Sequence, residues 1–155
     1  MKLRLLLVFA CLLLSTAEAR LGDTLGKIKE RFGKPADFPQ KNAAVWYFEV
    51  EDGQVAYTVV FNAKGQSISE GLKPLQRALF TAATAESFIR MQMEPFQASK
   101  TARVVKPGEN YRFAGKAFTC AARQYVVVDE ASGFLIVWTQ SGVPSVMAIR
   151  PEMMQ

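Results

Sequence analysis

Glu49 and Glu51 stand two residues apart in the alternating run Trp46-Tyr47-Phe48-Glu49-Val50-Glu51. In a strand this spacing puts both carboxyl groups on one face, roughly 7 Å apart, a separation that glycosidase carboxylate pairs also use. Tyr47 shares that face, and Thr58 joins it from the next strand. A solvated sheet face has the same pattern, because exposed acids on alternating strands are ordinary. Nothing in the sequence builds a cleft around the two acids. We therefore assign no catalytic residue and take Tyr47, Glu49, Glu51 and Thr58 as a candidate recognition surface. The competing reading is a histidine-free enzyme that uses Glu49 and Glu51.

The chain contains no histidine. That removes the commonest general base, the Ser-His and Cys-His nucleophile systems and the usual zinc ligand. Neither a phosphate-cradling glycine loop nor a dinucleotide fingerprint is present, so no cofactor is expected. Cys120 alternates with Phe118 and Ala122 and reads as a buried small hydrophobe, with Arg123 as its one nearby activating charge. Met91, Met93, Met153 and Met154 lack the accompanying histidines of a copper site, so no metal is assigned. Lys100, Arg103, Lys106, Arg112, Lys116 and Arg123 make the middle of the chain basic. As a diffuse surface this favours solubility and weak attraction to anions. No Lys/Arg stripe or base-stacking motif points to nucleic acid.

The elements that hold these residues centre on positions 44–70. Asp52-Gly53 reads as a two-residue hairpin turn between two alternating apolar runs. If Glu51 pairs with Gln54, Val50 faces Val55, Phe48 faces Tyr57 and Trp46 faces Val59, all on a core side. Asn62-Ala63-Lys64-Gly65 turns the chain again into a third strand, Gln66 to Glu70. Leu21 to Pro35 reads as the covering helix, capped by Asp23 or Thr24 and ended by Gly33 and Pro35. Leu21, Leu25, Ile28 and Phe32 form its stripe.

Pro39 to Asn42 reads as a polar connection into the first strand. Pro74 marks a helix start, with Leu75, Ala78 and Leu79 on its face. Thr84 to Met93 reads as a further helix capped by Thr84, with Ala85, Phe88, Ile89 and Met93 inward. Strands are expected at Thr101 to Val105, Phe118 to Asp129, Phe134 to Thr139 and Ser145 to Ile149, with turns at residues 130–133 and 141–144. The tail after Arg150 is expected to fray.

Residues 1–19 read as a removable leader: Lys2 and Arg4, an apolar run from Leu5 to Leu14, then Ala17-Glu18-Ala19 as the cleavage site. Lipidation at Cys11 would leave an apolar stretch of about six residues where leaders carry 7 to 15. Cleavage after Ala19 leaves 136 of the 155 residues and, with two positive and one negative charge lost, lowers the net charge from +5 to +4. Cys120 is then the one remaining cysteine, so no internal disulfide forms. No later segment has the roughly 20 apolar residues of a membrane span.

A resemblance rests on Gly22-Asp23-Thr24, then Ile28, then Phe32-Gly33-Lys34-Pro35 ahead of an aromatic strand and hairpin. Over residues 21 to 62 the chain resembles the opening of the SmpA/OmlA (BamE-like) envelope modules, whose broader fold relatives include the beta-lactamase inhibitor proteins. It is similar also to small exported proteins of unknown function with the same turn. The resemblance implies short helices on an antiparallel meander and a place in the cell envelope. The leader lacks a convincing lipid-attachment cysteine, and the chain has a second half, so outer-membrane assembly is not carried over.

The resulting expectation is an exported, periplasmic or secreted α+β protein, with short helices packed on antiparallel meanders in one domain from residue 20 to 155. The element order admits two helix-plus-meander halves, 20–72 and 74–150, without a residue-level repeat behind them. Such a protein acts by binding another exported or envelope protein through a sheet face or strand edge.

Overall fold

The structure, a computed structural model, describes residues 20–50, 53–75, 80–94 and 101–155. The expected leader, Glu51, Asp52, Ala78, Leu79 and Lys100 lie outside the described residues. In chain order the elements are α1 (Leu25–Phe32), β1 (Asp37–Gln40), β2 (Ala43–Val50), β3 (Gly53–Phe61), β4 (Ser67–Leu75) and α2 (Ala82–Met93). Then come β5 (Arg103–Val105), β6 (Asn110–Phe113), β7 (Lys116–Thr119), β8 (Gln124–Asp129), β9 (Phe134–Thr139), β10 (Ser145–Ile149) and a 3-10 turn, Pro151–Met154. Eight strands form one antiparallel sheet in the order β1-β2-β3-β4-β10-β9-β8-β5, while β6 and β7 pair as a separate hairpin. The fold is α+β, as the alternating and helical periodicities imply.

Helix α1 is shorter than its apolar stripe. Thr24 takes the cap, its Oγ1 accepting from Lys27 N at 3.4 Å, and Gly33 ends the helix at φ +77°. Leu21 still joins the core, but from a segment bound to the sheet: Gly22 N donates to Ser67 O at 2.9 Å and Ser67 N to Asp23 O at 2.8 Å. Ile28 is fully buried, with Leu25 and Phe32 half-buried beside it.

The β2–β3 register differs from the expected one by two residues. Val50 pairs with Gly53, Phe48 with Val55, Trp46 with Tyr57 and Ala44 with Val59. Gly53 is the first residue of the returning strand rather than part of the turn, which leaves residues 51 and 52 between the strands. A slip of two preserves which face each side chain takes, whereas a slip of one would have inverted it. Trp46, Val55, Tyr57 and Val59 are accordingly buried on the helix side. Asn62 closes the next turn as proposed, its Oδ1 accepting from Lys64 N and Gln66 N at 2.9 and 3.0 Å.

Four further expectations change. Pro74 belongs to β4, opposite Val55, instead of opening a helix. β10 accompanies β4 only as far as Leu72, so a residue without an N–H is tolerated there. Pro39 to Asn42, read as a connection, overlaps edge strand β1 (Asp37–Gln40), in which Pro39 limits further pairing. Helix α2 begins at Ala82 because Thr81, not Thr84, caps it, accepting from Thr84 N at 3.2 Å. Finally, the tail is anchored rather than frayed: Lys116 Nζ donates to Met154 O at 2.6 Å, and Met154 packs on an apolar cluster.

The expected strand Phe118 to Asp129 is in fact two, β7 and β8, with a turn between them. Cys120 follows β7 and is buried, as its neighbours suggested, but it does not sit within a strand. Two apolar clusters result. One lies between the sheet and the helices and draws Trp46, Tyr57, Phe88, Val127, Phe134, Ile136 and Val146 together. The other lies on the opposite sheet face, where the β6–β7 hairpin sets Tyr111, Phe113 and Cys120 over Val126, Val128, Leu135 and Ile149.

Candidate functional site

The outer sheet face is built by cross-strand rows. One row runs Val45, Thr58, Gly71, Met147, Val137 and Val126 through β2, β3, β4, β10, β9 and β8. Another runs Tyr47, Ala56 and Lys73. At the β8 end the first row passes beneath the β6–β7 hairpin, while Tyr47 on β2 and Met147 on β10 are 46% and 43% exposed. Gly71 makes the floor between Thr58 and Met147, since a Cβ there would come within 3.3 Å of Val146 O and 3.4 Å of Met147 Cβ.

Of the four residues of the candidate surface, three are placed. Tyr47 and Glu49 are exposed and Thr58 is half-buried on this face, while Glu51 lies outside the described residues. The two-residue register difference puts Ala56, not Thr58, opposite Tyr47, and sets Thr58 opposite Val45. Glu49 accepts a hydrogen bond from its cross-strand neighbour Gln54 Nε2. This is the pairing of an ordinary open sheet face. Glu49 lines neither of the two clefts described among these residues.

The basic residues are only partly brought together. Arg103 and Arg112 line a shallow cleft of about 570 Å³ between β5 and the hairpin, with Tyr111, Phe118, Thr119 and Glu130. Arg103 is engaged there, donating to Asn110 O at 3.2 Å and lying 3.9 Å from Glu109. Lys116 is taken by the C-terminal turn. Cys120 Sγ stands 3.7 Å from Val105 O, and burial, with Glu109 adding to it, pushes its thiol up. That is the environment of an inert structural cysteine.

On the helix side lies a polar cluster that sequence reading did not single out. Glu70 is fully buried on β4 and is met by Tyr57 Oη from β3 at 2.6 Å, Gln92 Nε2 from α2 at 2.6 Å and Ser67 Oγ at 2.7 Å. Burial raises its carboxyl above the usual 4.5; the three hydrogen bonds oppose that and the charge of Asp23 adds to it. Tyr57 is pushed well above 10.0 by burial and then by Glu70. A signal was present: Glu70 shares its strand parity with apolar Leu72, which places it on the inner face. Among the described residues no group of three or more His, Cys, Asp or Glu side chains could hold a metal ion, and no helix is long and apolar enough to cross a membrane.

No family model matches the sequence, and no curated protein matches it significantly. The structure is similar to the crystal structure of a cysteine-rich secretory protein from Staphylococcus aureus subsp. aureus Mu50, with a TM-score of 0.46 and 13% identity. That match covers 86% of this chain and 46% of the other, so the chain spans less than half the length of that protein.

Proposed function

We propose that this chain is an exported, non-enzymatic binding module of the cell envelope or secreted space, which recognises another exported protein through its outer sheet face. One observation carries this: the face is roofed by the β6–β7 hairpin over β8 and β9, while Tyr47, Glu49, Lys73 and Met147 stand exposed on its other half, above buried Val45 and Ala56. Tyr47 and Met147 stand proud around the Gly71 floor, with Glu49 and Lys73 at the margin. Large exposed side chains of this kind, ringed by polar groups, make the anchors of protein interfaces. The resemblance of residues 21 to 62 to envelope modules supports the same setting.

The test is site-specific photocrosslinking in the exporting cell, with the chain made from its own leader. A photoreactive phenylalanine analogue replaces Tyr47 in one strain and exposed Glu86 of α2 in another. One exported protein should be captured from position 47 and not from position 86. With the purified pair, Tyr47→Ala should weaken binding by about tenfold or more, the loss typical of an aromatic anchor. Equal capture from both faces, or unchanged affinity of Tyr47→Ala, defeats the proposal.

A further inference from the structure

The hydrogens around Glu70 can be counted. Ser67 Oγ has one hydrogen of its own. It receives Gly22 N–H at 2.9 Å, a hydrogen shared with Ser67 O, and two acceptors compete for its own proton: Glu70 Oε1 at 2.7 Å and Arg20 O at 3.2 Å. The other carboxyl oxygen, Oε2, already takes Tyr57 O–H and Gln92 N–H. The Gln92 amide is fixed in that orientation because its Oε1 accepts from Leu21 N at 3.1 Å. An ionised Glu70 would claim the serine hydrogen and leave the 3.2 Å contact between Ser67 Oγ and Arg20 O without one, although Arg20 O keeps the N–H of Asp23 at 2.9 Å. With a proton on Oε1, Glu70 donates to Ser67 Oγ, the serine donates to Arg20 O, and each of these contacts has one hydrogen.

We propose that Glu70 is kept as a neutral carboxylic acid and that its proton, by freeing the Ser67 hydroxyl for Arg20 O, latches residues 20–22 onto the sheet. Every member of the count ties one piece to another: Ser67 holds Arg20 and Gly22, and Gln92 holds both Leu21 and Glu70. Loss of the proton to solvent puts a charge among these groups and draws the serine hydrogen from Arg20 O to Glu70.

The surrounding charges do not offset an ionised Glu70. On β3 the facing group is Tyr57, itself an acid. Asp23 of the entering segment is a second carboxylate, bound by Arg31 of α1 at 2.5 Å and near Lys27 at 3.7 Å. Arg20 pairs with Glu94, and Arg150, after β10, donates through Nη2 to Leu21 O at 3.2 Å. Helix α2 turns neutral Gln92 inward and leaves Arg90 and Glu94 exposed.

The sign of the pH dependence follows. The folded protein binds this proton more tightly than the unfolded chain, whose glutamate titrates near 4.5. The stabilisation is complete below that value and falls as pH rises, until Glu70 ionises in the folded state.

The test compares the chain with Glu70→Gln, whose amide places an N–H where the acid proton stands. Above pH 4.5 the unfolding constant of the parent should climb relative to Glu70→Gln by up to about tenfold per pH unit. Exchange of the Leu21 and Gly22 amides should quicken over the same range in the parent alone. An independent reading, which needs no variant, is infrared spectroscopy of the ¹³C-glutamate-labelled parent. The C=O band of one protonated carboxyl should persist at a pH above 4.5 at which the denatured labelled chain shows none. A spectrum with every glutamate ionised there, or a stability difference from Glu70→Gln that is flat with pH, overturns the proposal.

Discussion

Gly22 shows how a single residue sets the entry of the chain into the fold. Its φ is +98°, a conformation that L side chains rarely adopt, and a Cβ would lie 2.8 Å from Arg150 Nη2. Arg150 is long enough to swing aside, so contact is the smaller part of the penalty and the backbone the larger. Gly22→Ala should therefore cost about 1–3 kcal/mol, read as a lower midpoint in denaturant. Adding Arg150→Ala should recover little of it; full recovery would mean that sterics, not φ, was the cause. Cys120 allows a second test at this scale. With its thiol buried and raised by that burial, it should resist a thiol-specific reagent in the native protein and react once in guanidinium. Rapid native reaction would refute its placement under the hairpin.

At the level of elements, the β6–β7 hairpin decides which part of the outer face is core and which is surface. Phe113 is its fully buried anchor. Phe113→Ala should destabilise by about 3–5 kcal/mol in chemical unfolding, with a loss under 1 kcal/mol contradicting the roofing role. The hairpin was hard to read from sequence for a definite reason. Its two-residue turn is Ala114-Gly115, with φ +51° and +76°, so an alanine occupies a position where Asn or Asp usually announces such a turn. Thr119, Cys120 and Ala121 then read as continued strand. The first helix cap was closer to the surface of the sequence, since Thr24 is one of the two expected caps; the second was misplaced by three residues, because Thr84 carries the same hydroxyl as the true cap Thr81. Trp46 and Tyr57 were assigned to the right face in the wrong register, because parity survives a two-residue slip. Glu70 and Gln92 were missed because charge and polarity normally signal solvent, and here three hydrogen bonds offset the cost of burial.

Across the whole molecule, the order helix, short edge strand, three-strand meander occupies residues 25–75 and again 82–149, the second time with the hairpin inserted after its edge strand. The two runs join where β4 pairs with β10, and the inner cluster does not divide at that line. Trp46, Tyr57 and Val59 from one run pack in the same cluster as Phe88, Val127, Ile136 and Val146 from the other. Glu70, on the joining strand, is reached from both sides by Tyr57 and Gln92. Cooperativity follows from a shared core, because neither run can lose its packing without exposing apolar surface of the other. The chain carries one tryptophan in each run, Trp46 and Trp138, and they are its only two. Fluorescence of Trp138→Phe reports the first run and that of Trp46→Phe the second. After each curve is corrected for its variant's own stability by far-UV circular dichroism, the fluorescence and dichroism transitions should coincide in both. A first run that melts apart from the second would show that the β4–β10 seam divides two folding units, and the inner cluster would then contribute far less to stability than its shared packing requires.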